Sequence, residues 1–245
     1  MLAERFLRQG LPGRRHLPAT AHRRGGHRAV PHHRTAPVAD HPAPLMTNGL
    51  FIAVEGPNGV GKTTTAARLA DRLRASGSAV HVTTEPSGTA LGKLIRATES
   101  SLTGRALALA VAADRYAHIE TEIAPALAAG MTVISDRYVQ SSLVLQRLDG
   151  LPVREIWHYN AHVPPASLSF YLYHTPQVLR QRLDLRARRS RLEAAGSPEQ
   201  EIALYEEAFA FLAARGWRQA LINCRGLDPD GVATRLLRHL EQLGT

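Results

Sequence analysis

The stretch GPNGVGKTTT at residues 56–65 decides how the rest of the chain is interpreted. It fits the pattern G-x-x-x-x-G-K-S/T, in which glycines let the backbone curl around phosphate oxygens. The apolar run at residues 50–54 is typical of a buried parallel strand, and the residues that follow the loop predict a helix from Lys62. A strand, a glycine-rich turn and a helix in this order predict a phosphate-binding loop.

Most residues of this loop are predicted to contact phosphate, and one is predicted to contact a metal ion. The main-chain N–H groups and the start of the following helix present positive potential to phosphate oxygens. Lys62 is placed for the β- and γ-phosphates, and the Thr63 hydroxyl is placed for Mg²⁺. The predicted phosphate-binding residues are Gly56, Pro57, Asn58, Gly59, Val60, Gly61, Lys62, Thr63 and Thr64.

From residue 50 onward, short apolar segments alternate with helical patterns, which predicts an α/β sheet with helices on both faces. Strands are expected at residues 50–54, 79–83, 131–135, 167–173 and 220–223. Helices are expected at residues 62–76, 90–98, 106–129, 177–189, 198–215 and 229–243. The chain has 245 residues, of which 44% are hydrophobic, so one domain with a sizeable core is expected.

The positive charge of the chain is concentrated in its first 46 residues, which carry eight Arg against Glu4 and Asp40. The remainder carries 22 basic and 19 acidic residues, so it shows no strong signature of nucleic-acid binding. No apolar run reaches the roughly 18 residues of a membrane span, so no membrane partner is predicted. A single cysteine, Cys224, excludes an internal disulfide framework and predicts a reducing, cytoplasmic location.

Residues 1–46 are rich in Arg, His, Pro and Gly. Such a composition buries too little apolar surface to fold, so a disordered tail is predicted, followed by one domain over residues 47–245. Three interpretations of the tail stay open. It is a targeting peptide, a metal-binding His tract, or an upstream stretch that is not translated, with Met46 as the true start.

A second charged pair, Asp136-Arg137, follows directly after the strand predicted at residues 131–135. This is the carboxyl edge of a parallel sheet, where ligands bind. An acid there can hold Mg²⁺ through water, and the Arg can bridge a phosphoryl group in transfer. The alternative is a surface helix start that the Asp caps.

Two motifs are missing from the sequence, and their absence narrows the classes of protein to which such a phosphate loop can belong. The guanine-reading N/T-K-x-D segment of switch GTPases is missing, because the only lysines are Lys62 and Lys93. The LSGGQ-type segment of transport ATPases is missing as well. A small-molecule kinase is therefore favoured.

Four segments together resemble the thymidylate kinase family. They are FIAVEGPNGVGKTTTAARLADRL (residues 51–73), TEPSGTALGKLIR (84–96), AADRYAHIETEIAPALAAGMTVISDRYVQSSL (112–143) and LRARRSRLE (185–193). The resemblance implies a P-loop kinase fold with a five-stranded parallel sheet, a short mobile lid and a homodimer. It also implies Mg²⁺-dependent transfer of the γ-phosphate of ATP to dTMP, giving dTDP.

The resemblance assigns roles around the acceptor nucleotide. Arg96 and Arg137 would hold the acceptor phosphate, and Arg115 would read the base edge. The acceptor site implied by the resemblance comprises Asn58, Glu85, Arg96, Val111, Arg115, Arg137, Ser142 and Leu145. Asp136 would serve Mg²⁺ together with Thr63.

The resemblance also assigns a lid at residues 186–196. In the family a basic residue meets the transferring phosphate either from the phosphate loop or from the lid. The variable loop positions here are not basic, so the charge would come from Arg188, Arg189 or Arg191. Arg191 is favoured and joins Lys62 and Arg137 as a predicted catalytic residue; a solvated basic helix end is the alternative.

The chain departs from the family mainly where the nucleoside would bind. Asn58 stands where the family usually has an acid, Val111 where it has an aromatic residue, Leu145 where it has a tyrosine, and Thr84 where it has an arginine. Three hypotheses follow. The chain is a thymidylate kinase with a changed pocket, a related kinase for another nucleotide or modified nucleoside monophosphate, or a non-catalytic nucleotide-binding relative.

Overall fold

The computed structural model of the protein describes residues 49–187 and 191–242. The predictions for residues 1–46, and for Arg188 and Arg189 in the lid, lie outside these described residues. Within them, no helix combines the length and the apolar character that a membrane crossing needs.

A five-stranded parallel sheet forms the centre of the fold, in the order β2-β3-β1-β4-β5. The strands are β1 (Phe51–Glu55), β2 (Val80–Thr84), β3 (Thr132–Asp136), β4 (Leu168–Tyr173) and β5 (Gln219–Asn223). Every residue of the central strand β1 is buried, in agreement with its continuous apolar run. The predicted α/β fold is thus confirmed, with every strand boundary displaced by at most one residue.

Helices pack on both faces of this sheet. They are α1 (Lys62–Ala75), α2 (Ala90–Thr98), α3 (Gly104–His118), α4 (Ala124–Ala128), α5 (Val139–Leu148), α6 (Val153–Tyr159), α7 (Pro176–Asp184), α8 (Arg191–Ala195), α9 (Pro198–Ala213) and α10 (Pro229–Glu241). α1 packs against α10, and α5 packs against α9. The side chains of Thr89, Ser197 and Asp228 cap the starts of α2, α9 and α10 by accepting main-chain N–H hydrogen bonds.

The helix predicted over residues 106–129 is broken in the structure. A π-helical turn, Ile119–Ile123, separates α3 from α4. Pro125 lies in the first turn of α4 and has no N–H to give to the preceding turn, which favours a break in the regular hydrogen-bond pattern at this point. The helices α5, α6 and α8 are additions that the predicted elements did not include.

The register of the strands brings the chemistry-bearing residues to one edge of the sheet. Val54 pairs with Asp136, and Thr84 pairs with Asp136 from the other side. The carboxyl ends of β1, β2 and β3 therefore lie together. The loop after β1, the Asp136-Arg137 pair and Glu85 all leave the sheet from this edge.

Candidate active site

The phosphate loop is an open cradle whose shape depends on its glycines. Gly56, Gly59 and Gly61 have φ angles of 139°, 82° and 105°, a region that residues with a Cβ rarely adopt. A Cβ on Gly56 would also lie 2.3 Å from the main-chain oxygen of Leu172. The chain can therefore turn sharply out of β1 and enter α1 at Lys62.

Lys62 lies in this cradle with its ammonium group buried. Its Nζ donates hydrogen bonds to the main-chain oxygens of Gly56 (2.8 Å) and Pro57 (3.1 Å). Burial, and secondarily the nearby Arg137 guanidinium, lower the pKa of Lys62 to about 7. A bound phosphate would give Nζ anionic partners, so we expect a ligand to stabilise the charged form of Lys62.

Thr63 and Asp136 meet at the mouth of the loop. Thr63 Oγ1 donates to Asp136 Oδ2 at 2.5 Å, whereas Asp136 Oδ1 is buried without a hydrogen-bond partner in the described part of the chain. A hydroxyl beside a carboxylate with an unused oxygen offers the hard oxygen ligands that Mg²⁺ prefers. The same described residues contain no cluster of three or more His, Cys, Asp or Glu suited to a metal. Mg²⁺ commonly relies on one or two carboxylates plus substrate phosphates, so these two residues fit it.

Arg137 reaches from the end of β3 back to the phosphate loop. Its φ angle is 80°, and among the described residues it alone, apart from glycines, has a positive φ. Its main-chain N–H donates to Val54 O (3.1 Å), Nη1 donates to Ser141 Oγ (3.1 Å) and Nη2 donates to Asn58 Oδ1 (2.6 Å). Unfavourable backbone angles that are held in place by such contacts occur preferentially at functional sites.

Glu55 organises this corner of the site, and the sequence analysis did not single it out. Its carboxylate is fully buried and accepts hydrogen bonds from the N–H groups of Tyr138 (2.6 Å) and Ser141 (3.2 Å) and from the Ser141 hydroxyl (2.8 Å). Burial raises the pKa of Glu55, and the Ser141 hydroxyl and Arg137 partly offset that rise. An acid that ends a buried apolar strand needs donors, and the start of α5 supplies them.

A cavity of about 220 Å³ opens beside Arg137, and we call it the Arg115 cavity. All eight residues that the resemblance assigned to the acceptor lie around it: Asn58, Glu85, Arg96, Val111, Arg115, Arg137, Ser142 and Leu145. Arg96 donates to the main-chain oxygens of Pro86 and Ser87, which fixes its guanidinium beside the loop that begins with Glu85. The structure therefore brings these residues together around one space.

Arg115 forms the buried back wall of this cavity and is 1% exposed. Its Nε donates to Glu85 Oε2 (2.7 Å), Nη1 donates to Asn160 Oδ1 (2.5 Å), and Nη2 donates to Ser142 Oγ (2.9 Å) and Tyr138 O (3.3 Å). The guanidinium is thus already well supplied with acceptors. We therefore expect Arg115 to act on a ligand largely through Ser142, whose hydroxyl proton stays free to turn toward the cavity.

Gln146 is a cavity residue that the sequence analysis missed. It lines the Arg115 cavity and is 3% exposed, and its Oε1 has no hydrogen-bond partner within the described ranges. A buried amide oxygen without a donor is costly unless a ligand supplies one. Beside it, Val111 and Leu145 belong to an apolar cluster with Ile95 and Leu107, so the cavity combines an apolar wall with a few polar atoms.

A second cavity, of about 310 Å³, lies on the other side of the phosphate loop, and we call it the Arg182 cavity. Its wall includes Gly59, Gly61 and Thr64 of the loop. Arg182 Nη1 donates to the main-chain oxygens of Gly59 (3.3 Å) and Val60 (3.2 Å). Arg182 was not predicted from the sequence, because it is one of two basic residues on α7 and belongs to no motif.

Arg191, the favoured lid arginine, contacts Glu99, which is one of the residues that line the Arg115 cavity. Its guanidinium donates to both carboxylate oxygens of Asp149 (2.5 and 2.9 Å), and its Nε donates to Glu99 O (2.9 Å). Asp149 also accepts from the N–H of Gly104 (3.2 Å), and the Arg191 hydrogen bonds lower the pKa of Asp149. The contact of Arg191 with a transferring phosphate stays a prediction, and it requires this ion pair to open.

Comparison with known proteins gives a consistent result. The family model described as "Thymidylate kinase" matches residues 54–210. A thymidylate kinase of Bifidobacterium longum (strain NCC 2705) is 40% identical over 181 residues, which are 68% of this chain and 85% of that protein. A thymidylate kinase of Synechococcus sp. (strain JA-2-3B'a(2-13)) is 38% identical over 198 residues, which are 76% of this chain and 92% of that protein.

Proposed function

Since the chain belongs to the thymidylate kinase family, we propose that it transfers the γ-phosphate of ATP to dTMP and releases ADP and dTDP. The observation that carries this proposal is that the phosphate loop is a common wall of two cavities. Asn58 lines the Arg115 cavity, whereas Gly59 and Gly61 line the Arg182 cavity. An acceptor and a donor bound on the two sides would face each other across the loop, as direct transfer requires.

Transfer between the two cavities needs positioning and positive charge more than covalent chemistry. ATP would bind in the Arg182 cavity, with its β- and γ-phosphates on the loop N–H groups and Lys62. Arg137 and Arg96 would hold the phosphate of dTMP so that one of its oxygens attacks the γ-phosphorus. The bond from that phosphorus to the β,γ-bridging oxygen then breaks, and ADP leaves with the bridging oxygen.

Thr63 and Asp136 would hold Mg²⁺ through the Thr63 hydroxyl and the Asp136 carboxylate, whose Oδ1 has no other partner among the described residues. The ion would neutralise the charge that develops on the phosphate oxygens. Thr63 follows directly on Lys62, so the residues that would hold the ion are neighbours of the residue that would hold the donor phosphates.

The base of dTMP would enter the deeper part of the Arg115 cavity. Gln146 and Ser142 present polar atoms there, and Val111 and Leu145 present aliphatic surface. Aliphatic side chains bury a base without the directed stacking that an aromatic ring provides. We therefore propose that recognition of the base relies on the Gln146 amide and the Ser142 hydroxyl, with weaker contacts to the ring faces.

A panel of nucleoside monophosphates tests this proposal, with Mg²⁺ and ATP present and ADP release as the readout. We expect dTMP to be phosphorylated, with a high KM or with weak discrimination against dUMP. A related kinase for another monophosphate is the second candidate, favoured by Asn58, Val111 and Leu145. Preferential use of another member of the panel would support that candidate. If none of the monophosphates were phosphorylated, both proposals would be contradicted and a non-catalytic relative would be favoured.

The acceptor wall leads to a prediction for the double variant Val111→Phe/Leu145→Tyr. These changes add a ring and a phenol where the family usually has them, and a stacking or hydroxyl contact is worth about 1–3 kcal/mol. We expect kcat/KM for dTMP to rise at least about tenfold and discrimination against dUMP to increase. Val82→Phe, at an exposed position of the edge strand β2, is the matched control. If the native protein already had a low KM for dTMP and strong discrimination against dUMP, and the double variant had lost both, other residues would have to recognise thymidine.

The lid leads to a prediction that compares Arg191→Ala with Asp149→Asn. If Arg191 leaves Asp149 to meet the transferring phosphate, its loss should lower kcat at least about tenfold with little effect on ATP binding, because a contact made on closure acts mainly in the transition state. Asp149→Asn releases Arg191 without removing it, so kcat should stay within about threefold of the native value. An equal loss in both variants would show that the ion pair, and not a phosphate contact, is the role of Arg191.

We also propose that the protein forms a homodimer. Leu94 and Leu109 are 57% and 50% exposed on α2 and α3, two helices that pack against each other. The proposal follows the family resemblance, and these two leucines on neighbouring helices support it because contiguous exposed apolar surface marks protein–protein contacts.

A further inference from the structure

Glu201, on α9, is a buried acid for which the mechanism above has no role. Its side chain is 1% exposed. Its Oε2 accepts a hydrogen bond from the main-chain N–H of Asn58 (2.8 Å), and its Oε1 accepts one from Asn58 Nδ2 (3.0 Å). The carboxylate therefore holds one residue of the phosphate loop by both its backbone and its side chain.

This contact decides which way the Asn58 amide faces. A carboxylate has only acceptors, so the NH₂ group of Asn58 must point to Glu201 and its oxygen must point the other way. That oxygen, Oδ1, accepts from Nη2 of Arg137 at 2.6 Å. The Asn58 side chain thus connects the two groups in one orientation only: its NH₂ group donates to the carboxylate of Glu201, and its oxygen accepts from the guanidinium of Arg137.

We propose that Glu201 is a positioning residue for the acceptor phosphate, acting through Asn58 to hold Arg137 in its working orientation. The inference rests on the proposed kinase function. Arg137 and Asn58 line the Arg115 cavity and Glu201 lies behind Asn58, so Glu201 sets the geometry without touching the ligand. Arg137 needs such support, because its φ of 80° leaves it in a conformation that its neighbours must maintain.

The same geometry gives a physical reason for asparagine at position 58. An aspartate there would place two carboxylates about 3 Å apart in a buried setting, where like charges strongly disfavour each other. Asparagine supplies the donors that the buried Glu201 requires. Asn58 and Glu201 therefore form a matched pair, in which the acid lies on α9 and the amide lies in the loop.

A through-space role for Glu201 makes the opposite prediction from a positioning role. If Glu201 acted only as a negative charge near the site, its neutralisation would favour anions and lower the KM for the acceptor. The positioning role predicts a higher KM. In Glu201→Gln, the new NH₂ group would face either the main-chain N–H or the side-chain NH₂ of Asn58, so one of the two hydrogen bonds becomes a clash between donors. Rotating the Asn58 amide could relieve a side-chain clash, but it would turn the Asn58 NH₂ group toward the guanidinium of Arg137.

The experiment compares Glu201→Gln, Asn58→Asp and the double variant Asn58→Asp/Glu201→Gln with the native protein. In the double variant, the carboxylate introduced at position 58 can accept from Arg137 and from the amide introduced at position 201. The oxygen of that amide can accept the main-chain N–H of residue 58, so every contact is satisfied again. Glu199→Gln is the matched control, because it removes an acid of the same helix that is exposed and paired with Arg180.

We expect Glu201→Gln to raise the KM for the acceptor at least about tenfold, with the KM for ATP changed less than about threefold. Asn58→Asp should be worse or fail to fold, the double variant should recover to within about threefold of native, and Glu199→Gln should behave as native. An unchanged or lowered acceptor KM in Glu201→Gln, or no recovery in the double variant, would overturn the proposal.

The test of the role of Glu201 can be separated from the test of the proposed kinase function. If the native protein phosphorylates its acceptor and Glu201→Gln is normal, the function stands and the role of Glu201 is wrong. If the native protein phosphorylates no monophosphate, the positioning role fails with the proposed function. The melting temperatures of the native protein, the two single variants and the double variant then show whether the structural pair exists, because a matched pair gives a double variant more stable than either single variant.

Discussion

Replacing Lys62 with methionine is expected to lower turnover at least about 100-fold. Lys62 is the cation of the phosphate loop, and loss of one preorganised electrostatic donor typically costs about 10²–10³ in kcat. Arg137→Ala should have an effect of the same order, because it removes the guanidinium between the acceptor and the loop. Initial rates at saturating ATP and acceptor measure both effects. Near-native turnover in either variant would contradict the phosphate clamp.

Lys62→Met should not lower the stability of the ligand-free protein, so that its loss of turnover can be separated from unfolding. Burial lowers the pKa of Lys62 from 10.5 in the unfolded chain to about 7, so between these values the unfolded chain binds more protons than the folded protein. The native free energy of unfolding therefore rises with pH across that window. The methionine variant lacks this rise, so its advantage in stability should be largest below pH 7 and should shrink toward pH 10. Urea unfolding at several pH values measures it.

Arg115→Met is expected to destabilise the fold by about 3–5 kcal/mol, because removing one member of a buried ion pair leaves the other charge uncompensated. The side chains of Arg115 and Glu85 are only 1% and 4% exposed. Ser142 and Asn160 would lose their partners as well. Urea unfolding measures the change in the free energy of unfolding.

Two comparisons make the Arg115 prediction specific. The double variant Glu85→Gln/Arg115→Met should recover part of the loss, because it removes the charge that would otherwise stay buried alone. Arg105→Met is the surface control, since Arg105 pairs with Glu155 but its side chain is 71% exposed, and exposed pairs contribute little. If Arg115→Met and Arg105→Met were equally mild, the buried pair would not be part of the fold's stability.

Local pattern was sufficient for the parts of the site that are close together in the sequence. The loop at residues 56–65 carries its own glycines, lysine and hydroxyl, and the strand before Asp136-Arg137 places that pair at the carboxyl edge of the sheet. The apolar runs predicted the five strands because a central parallel strand such as β1 is buried on both faces.

The contacts that arise from packing were not predictable in this way. Asn58 and Glu201 are 143 residues apart, and they meet only because α9 lies over the phosphate loop. Helix α5 was missed because four of the seven residues that it buries are polar, Gln140, Ser141, Ser142 and Gln146, which weakens the apolar periodicity of Val139, Leu143 and Val144. Each of these polar side chains has its own place in the packing: Gln140 donates to the Ser169 hydroxyl, Ser141 binds Glu55, Ser142 binds Arg115, and Gln146 lines the Arg115 cavity.

The most direct test of the account is to separate and quantify the nucleotides formed when the native protein is incubated with ATP, Mg²⁺ and dTMP. The account predicts that dTDP and ADP appear in equal amounts, that omission of dTMP or Mg²⁺ suppresses both, and that Lys62→Met forms neither at a comparable rate. ADP formed without dTDP, or no turnover of dTMP by a folded native protein, would contradict it.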